Sequence, residues 1–93
     1  MAVDKALISG SMTMLLLRLL AEKDMYGYEM IDTLRKKSCN VFELKAGTLY
    51  PLLHGKTRKY YSITKEGRAL LETKKAEWSE YQSAVANVLA MGV

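Results

Sequence analysis

The residue types that build disulfides and metal sites are scarce in this chain of 93 residues, which has one cysteine and one histidine. Cys39 has no partner for an intramolecular disulfide, and with His54 it provides too few ligands for a metal site. The most apolar stretch, residues 12–20, contains Arg18 and is far shorter than the roughly 20 residues that span a bilayer. It also lacks the basic leader and cleavage site of a signal peptide. We therefore expect a soluble, cytoplasmic protein without membrane contact.

The sequence also lacks the motifs of common catalytic sites. It has no glycine-rich phosphate loop, and no nucleophile has a plausible base except in combination with His54. A catalytic site needs several groups in defined roles, which a solitary histidine does not provide. The chain is therefore predicted to have no enzymatic activity and to need no cofactor.

The net charge of +4 is concentrated in one short segment. Residues 55–68 hold five basic side chains and one acidic side chain, so they account for the whole excess. A composition of 49% hydrophobic and 26% charged residues excludes a disordered chain. The length supports one small domain, which makes oligomerisation plausible because a small core buries little surface.

Apolar periodicity predicts three helices in the first part of the chain. The first covers residues 4–23, with Asp4 as its N-cap, and the second covers about 27–38. Residues 41–44 are predicted to be extended. A short helix then follows, capped by Gly47 or Thr48, because the next proline is tolerated only near a helix start.

The second part of the chain combines a strand and a long helix. Residues 58–64 alternate and are rich in aromatic and β-branched side chains, which predicts a strand. Thr64 is the expected N-cap of a helix over 65–91, about 40 Å long. A compact domain of this length has a radius of gyration of only about 12 Å, so this helix should extend beyond it and contact a partner chain.

Three helices followed by a basic strand are typical of a winged helix-turn-helix, a mainly α fold. In that fold the third helix enters the major groove and the wing contacts the DNA backbone. The side chains of Lys56, Arg58 and Lys59 can neutralise phosphates, and hydrogen-bonding groups lie at the front of the short helix. Basic strands also occur as plain solvated sheet edges, so charge alone leaves DNA binding open.

Three stretches identify a family resemblance: Met-Tyr-Gly-Tyr-Glu at 25–29, the Gly-Thr-Leu-Tyr-Pro segment within 42–54, and Arg-Lys-Tyr-Tyr within 58–67. In these three stretches the chain resembles the PadR family of bacterial and archaeal transcriptional regulators. Within that family it resembles the smaller branch, whose members have a single C-terminal helix. The resemblance implies a homodimeric repressor that binds promoter DNA and is released by a small-molecule effector. Its recognition helix would begin near Gly47.

The same resemblance implies which residues contact DNA. Tyr28 and Tyr60 lie beside helical seams and are expected to pack within the protein instead of contacting DNA, and Tyr60 and Tyr61 are assigned mostly to the fold of the wing. The predicted DNA-binding residues are Tyr26, Lys45, Thr48, Tyr50, His54, Lys56, Arg58 and Lys59.

Residues 1–64 are interpreted as the DNA-binding domain and residues 65–93 as a dimerisation helix. Residues at steps of three and four, with Lys74 as the one polar member, form a heptad-like seam on that helix. The resemblance places Trp78 at a cavity for small aromatic or apolar effectors, whereas its heptad-like position by itself favours an anchor of the interface. The predicted dimer residues are Leu15, Leu71, Trp78, Tyr81, Val85 and Val88.

The chain departs from the family pattern after His54, where relatives continue the recognition helix and form the first strand of the wing. Here Gly55 follows directly. One interpretation, which we favour because wing tips are mobile, is that roughly twenty residues of the natural protein are missing between 54 and 55. The other is a genuine deletion. It would favour a rival function, a dimeric ligand-binding or protein-interaction module that does not bind DNA.

Overall fold

A computed structural model describes residues 5–45, 47, 49 and 60–91. These residues form three helices and two short strands. In chain order they are α1 (Lys5–Glu22), β1 (Met25–Tyr26), α2 (Gly27–Lys37), β2 (Tyr60–Tyr61) and α3 (Lys65–Leu89). The predicted cap Asp4 and the bond between His54 and Gly55 lie outside the described residues.

The apolar faces of α1 and α2 form most of the core. Met12, Leu16 and Leu19 are buried on one face of α1, as their spacing of three and four residues requires. Met30 and Leu34 of α2 pack into the same cluster, to which the buried Leu44 and Leu49 also belong. The predicted positions of both helices are confirmed to within one or two residues.

The end of α2 turns the chain sharply. Ser38 is the C-cap, and the backbone φ values of Cys39 and Asn40 are positive, at 52° and 69°. The N–H of Asn40 donates to the carbonyl of Arg35 at 2.8 Å. The residues that follow, 41–44, lie in neither a helix nor a strand, which agrees with the prediction that this segment forms no helix.

The short helix begins earlier than predicted. The N–H of Leu49 donates to the carbonyl of Lys45 at 2.9 Å, and the backbone is helical at Gly47 and Leu49. Lys45 therefore occupies the N-cap position. Gly47 lies inside the first turn, so its predicted role as the cap is wrong, whereas Thr48 lies outside the described residues.

The two strands form a small antiparallel sheet in which Met25 pairs with Tyr61 and Tyr26 with Tyr60. Strand β1 was not predicted. Of the strand predicted over 58–64, residues 60–64 are described, and β2 covers 60 and 61 whereas 62–64 are irregular. The sequence left that strand without a partner, and β1 provides one. Met25 points into the core whereas Tyr26 is exposed, in the alternation expected for a strand.

Helix α3 is fixed at its beginning and exposed along most of its length. The hydroxyl oxygen of Thr64 accepts a hydrogen bond from the N–H of Gly67 at 2.9 Å, which confirms Thr64 as the N-cap. Of the described residues of α3, Leu71 alone is buried. The radius of gyration of 14.8 Å exceeds the roughly 12 Å of a compact domain, because α3 protrudes.

None of the described helices combines the length and the apolar character that crossing a membrane requires.

Candidate functional site

Two of the eight predicted DNA-binding residues, Tyr26 and Lys45, lie in the part of the chain that the structure describes, and both are exposed. Lys45 is at the start of the short helix, where the completely buried Leu49 anchors that helix to the core. The others lie outside the described residues: Thr48, Tyr50, His54, Lys56, Arg58 and Lys59.

Three tyrosines meet on the surface where the sheet adjoins α2, and we call Tyr26, Tyr28 and Tyr60 the tyrosine cluster. The ring of Tyr26 stacks on that of Tyr28, with centroids 5.7 Å apart and planes at 8°. The ring of Tyr60 meets that of Tyr26 in a T-shaped contact with centroids 4.6 Å apart. Register produces this second contact, because Tyr26 and Tyr60 are paired across the two strands.

The tyrosine cluster is exposed, so the prediction that Tyr28 and Tyr60 are buried is wrong, although Tyr60 does contribute to the sheet through its pairing with Tyr26. Tyr28 retains 68% of its surface and Tyr60 retains 55%, compared with 42% for Tyr26. The core beside them is filled by Met25 and Met30 instead. The prediction failed because a tyrosine next to a helical apolar face has the same sequence pattern whether its ring is turned inward or outward.

A carboxylate lies close to the tyrosine cluster and is occupied by its own partners. Oε1 of Glu29 accepts a hydrogen bond from the backbone N–H of Tyr26 at 3.0 Å. Oε2 of Glu29 lies 3.8 Å from Nζ of Lys23. These contacts hold the beginning of α2 against β1 and offset the negative charge beside the cluster.

A groove of about 620 Å³ separates α1 from the distal part of α3. Trp78 and Tyr81 form its aromatic wall, with parallel rings whose centroids are 6.3 Å apart. Leu7 and Met14 of α1 face them, so the lining is mostly apolar. The lining residues are Leu7, Gly10, Ser11, Met14, Lys74, Glu77, Trp78, Tyr81, Gln82, Val85, Ala86 and Leu89.

The six predicted dimer residues fall into two groups. Trp78, Tyr81 and Val85 line the groove and are exposed. Val88 is exposed near the end of α3. Leu15 is half-buried against the hydrophobic core, and Leu71 is only 5% exposed. These two side chains therefore offer a partner chain little surface.

Sequence reasoning missed the contribution of α1 to the groove. Leu7, Gly10 and Met14 are spaced by three and four residues, on a face of α1 different from the one that enters the core. That spacing was a signal for a second apolar face. It was overlooked because the core residues of the same helix explain its amphipathic pattern by themselves.

Acidic side chains of the described residues form surface ion pairs and no cluster that could bind a metal ion. No group of three or more histidine, cysteine, aspartate or glutamate side chains within them could hold a metal ion. Hydrogen bonds first from Lys36 and then from Arg35 lower the pKa of Asp32 below its ordinary value of 3.8. This carboxylate lies on the surface of α2, where its ion pairs with Arg35 and Lys36 stabilise the helix.

Comparisons with known proteins connect this arrangement with transcription. A family model described as the transcriptional regulator PadR-like family matches residues 16–55. A protein from Lysinibacillus sphaericus, described as uncharacterized, is 32% identical over 100 aligned positions, which cover 89% of this chain and 92% of the relative. About 83 residues of this chain take part in these 100 positions, so about 17 residues of the relative lie opposite gaps in this chain.

Solved structures match nearly the whole chain. A transcriptional regulator from Clostridium thermocellum has a TM-score of 0.83 at 30% identity, covering 97% of this chain and 100% of that chain. A PadR-like transcriptional regulator from Bacillus cereus has a TM-score of 0.80 at 27% identity, covering 95% of this chain and 100% of that chain. A Streptococcus transcriptional regulator has a TM-score of 0.75 at 27% identity, covering 91% of this chain and 98% of that chain.

Proposed function

Because the chain belongs to the PadR-like family of transcriptional regulators, we propose that it is a homodimeric repressor of promoter DNA that a small aromatic or apolar effector releases. The family consists of transcriptional regulators and not of enzymes, and its fold is the winged helix-turn-helix. The match to a PadR-like regulator over 95% of the chain is the observation that carries the proposal. As a regulator of promoter DNA, the protein would act in the cytoplasm.

The geometry around the short helix supports DNA binding. Leu49 anchors the first turn of that helix to the core while Lys45 at its start is exposed, which is the arrangement that a recognition helix needs. Lys45 is exposed at its N-terminus, where a cation gains nothing from the helix dipole. A phosphate placed there would interact favourably with both the ammonium group and the helix.

The basic segment that precedes β2 supports backbone contacts. Lys56, Arg58 and Lys59 come just before Tyr60 in the chain, in the position of a wing. Cations at this position neutralise phosphates and release counterions, so binding should weaken steeply as salt is added.

The exposed surface of α3 supports dimerisation. Trp78, Tyr81 and Val85 are exposed along one helix, and Leu7 extends the same apolar surface on α1. Large apolar side chains grouped in this way are typical of an interaction surface. A second copy of the chain presents the same surface and would cover it.

The groove also has the properties of an effector site. Its volume of about 620 Å³ lies within the range of roughly 300–1,000 Å³ that is usual for small-molecule sites. The parallel rings of Trp78 and Tyr81 suit a flat aromatic ligand, because such rings favour offset stacking. Most of the lining is apolar, and Lys74 and Glu77 are its charged residues, so an apolar effector would match the greater part of the groove.

A titration of a fluorescein-labelled promoter fragment over a salt series tests DNA binding. We expect log Kobs to fall linearly with log salt, and Arg58→Gln to make the slope shallower by about one. Lys75→Gln is the matched control, because Lys75 is an exposed cation on α3 that lies near Glu72. No binding by the unaltered protein at low salt would contradict the proposal.

A second candidate function is a dimeric ligand-binding or protein-interaction module that does not bind DNA. A genuine deletion after His54, one of the two interpretations of the sequence there, would favour it. Dimerisation and binding of an aromatic dye, together with no DNA binding at low salt, would establish this alternative.

A further inference from the structure

The tyrosine cluster has more exposed aromatic surface than the fold requires. The contact between Tyr26 and Tyr60 stabilises the pairing of β1 with β2. Tyr28 is 68% exposed, and its ring lies on the ring of Tyr26 and not in the core. Packing within the protomer therefore accounts for the T-shaped pair, but it gives no reason for a third stacked ring bearing a hydroxyl group.

The position of the tyrosine cluster joins two parts of the proposed DNA interface. Tyr26 and Tyr28 lie at the beginning of α2, the helix that precedes the recognition helix in the chain. Tyr60 begins β2, immediately after the basic residues Arg58 and Lys59. A surface that is continuous with the predicted wing would face the same duplex. The nearby carboxylate of Glu29 is paired with Lys23 and with the backbone N–H of Tyr26, so its repulsion of phosphates is reduced.

We propose that the tyrosine cluster binds the sugar–phosphate backbone of duplex DNA, with the hydroxyl groups of Tyr28 and Tyr60 donating hydrogen bonds to phosphate oxygens. This inference rests on the proposed function and adds two residues to its interface. Tyrosine hydroxyls are common donors to DNA phosphates. The rings have few rotatable bonds, and their mutual contacts fix them further, so ordering them on the duplex has a low entropy cost.

The arrangement of the rings favours contact with the backbone over stacking on bases. One face of Tyr26 is covered by Tyr28, with planes only 8° apart, and Tyr60 contacts it at an angle of 61°. An unpaired base would need an open aromatic face in the same place. The hydroxyl groups, which lie at the ends of the rings, are the parts suited to a phosphate.

The test removes hydroxyl groups and keeps the rings. Tyr28→Phe, Tyr60→Phe and the double variant are compared with the full-length protein in fluorescence-anisotropy titrations, with a fluorescein-labelled duplex of mixed sequence three helical turns long. We expect each single variant to bind about three- to tenfold more weakly, as for the loss of one hydrogen bond. Ser79→Ala is the control, because it also removes a hydroxyl group, from an exposed residue of α3 outside the lining of the groove.

A salt series separates these contacts from ionic ones. A neutral hydroxyl releases no counterion, so the Tyr→Phe variants should keep the slope of log Kobs against log salt, whereas Arg58→Gln should reduce it by about one. Mixed-sequence DNA is sufficient, because contacts with the backbone are independent of base sequence.

Failure of this inference is distinguishable from failure of the proposed function. If the unaltered protein binds the duplex and both Tyr→Phe variants match it, the inference is wrong while the proposed function stands. If the unaltered protein does not bind at all, both are wrong. Loss of dimer in sedimentation by the Tyr→Phe variants, with DNA affinity unchanged, would overturn the inference and assign the cluster to a protein interface.

Discussion

The hydroxyl oxygen of Thr64 lies 2.9 Å from the backbone nitrogen of Gly67, whose N–H donates to it. This hydrogen bond satisfies one of the free donors of the first turn of α3. It is also the point at which the chain leaves the sheet and enters its longest helix. The Thr64 side chain therefore determines how firmly that helix begins.

Removing the cap should destabilise the protein. Thr64→Ala leaves the N–H of Gly67 without its side-chain partner, and we expect the free energy of unfolding to fall by about 1 kcal/mol. Urea unfolding at a fixed protein concentration measures the difference. Thr64→Ser retains the hydroxyl group and is the control, so equal losses in both variants would contradict this explanation.

Gly67 should resist substitution for reasons of space. A Cβ built at Gly67 would lie 3.0 Å from Cγ1 of Ile63 and 3.2 Å from Oγ1 of Thr64. The hydroxyl oxygen is held by its hydrogen bond and Ile63 packs against the core, so neither can move freely. We expect Gly67→Ala to lower the free energy of unfolding by about 1 kcal/mol despite the higher helix propensity of alanine.

Gly10 provides the matched comparison for Gly67. It also lies in a helix, but a Cβ at Gly10 would meet nothing within 4 Å. Gly10→Ala should therefore raise the free energy of unfolding by up to about 1 kcal/mol in the same urea experiment. Changes of the same sign in both variants would refute the steric argument.

The stability of α2 should depend on acid through Asp32. Its pKa is lowered by hydrogen bonds from Lys36 and then Arg35, so its contribution to stability is present above its unfolded pKa, ordinarily 3.8. That contribution is lost as the pH falls through the lower folded value. Asp32→Asn should therefore be less stable than the unaltered protein at neutral pH and equally stable in strong acid. The difference should shrink in high salt because the pairs are exposed.

Urea unfolding at several pH values, on the unaltered protein and the variant, measures this dependence. Asp24→Asn serves as control, because Asp24 is an exposed carboxylate outside the described ion pairs. A gap between Asp32→Asn and the unaltered protein that persists unchanged in acid would argue against the ionic contribution.

Charged substitutions in the groove should separate the proposed dimer. Trp78→Glu together with Val85→Glu would place two carboxylates on the apolar surface of α3, where burial against a partner chain would be costly. Sedimentation equilibrium should then show monomers. Ala76→Glu adds a carboxylate on the same helix outside the groove lining and should remain dimeric. An unaltered dimer for the double variant would refute this interface.

The single tryptophan makes the groove directly observable. Trp78 is the only tryptophan in the sequence, so intrinsic tryptophan fluorescence reports from the groove wall alone. A flat aromatic dye such as acridine orange should quench it in a saturable manner. Trp78→Ala should weaken dye binding, followed through the dye's own fluorescence, by at least about fivefold. Unchanged dye affinity in that variant would place the ligand elsewhere.

The sequence predicted those elements whose pattern is repeated over several turns. The helices α1, α2 and α3 each contain enough apolar positions to fix their bounds within about two residues, and Thr64 was recognised as a cap from its residue type. Strand β1 was missed because two residues, Met25 and Tyr26, are too few for an alternating pattern. The start of the short helix at Lys45 was missed because lysine is not a usual cap.

The candidate site was less predictable than the fold. The prediction of Trp78, Tyr81 and Val85 on one seam agrees with their common position in the groove, but the seam also included Leu71, which is buried in its own protomer. Helical spacing alone cannot distinguish an apolar face that packs inside the protomer from one that stays exposed. The outward position of Tyr28 and Tyr60 depends on tertiary packing by Met25 and Met30, which no local pattern encodes.

The pairing of β1 with β2 has a consequence for the order of folding. Tyr26 and Tyr60 are direct partners in the sheet, yet α2 and the short helix lie between them in the chain. Closing so long a loop has an entropic cost that two strand residues on each side cannot offset by themselves. We therefore expect contacts between neighbouring helices to form first and the sheet to form last, so that the beginning of α3 becomes fixed only in the final step.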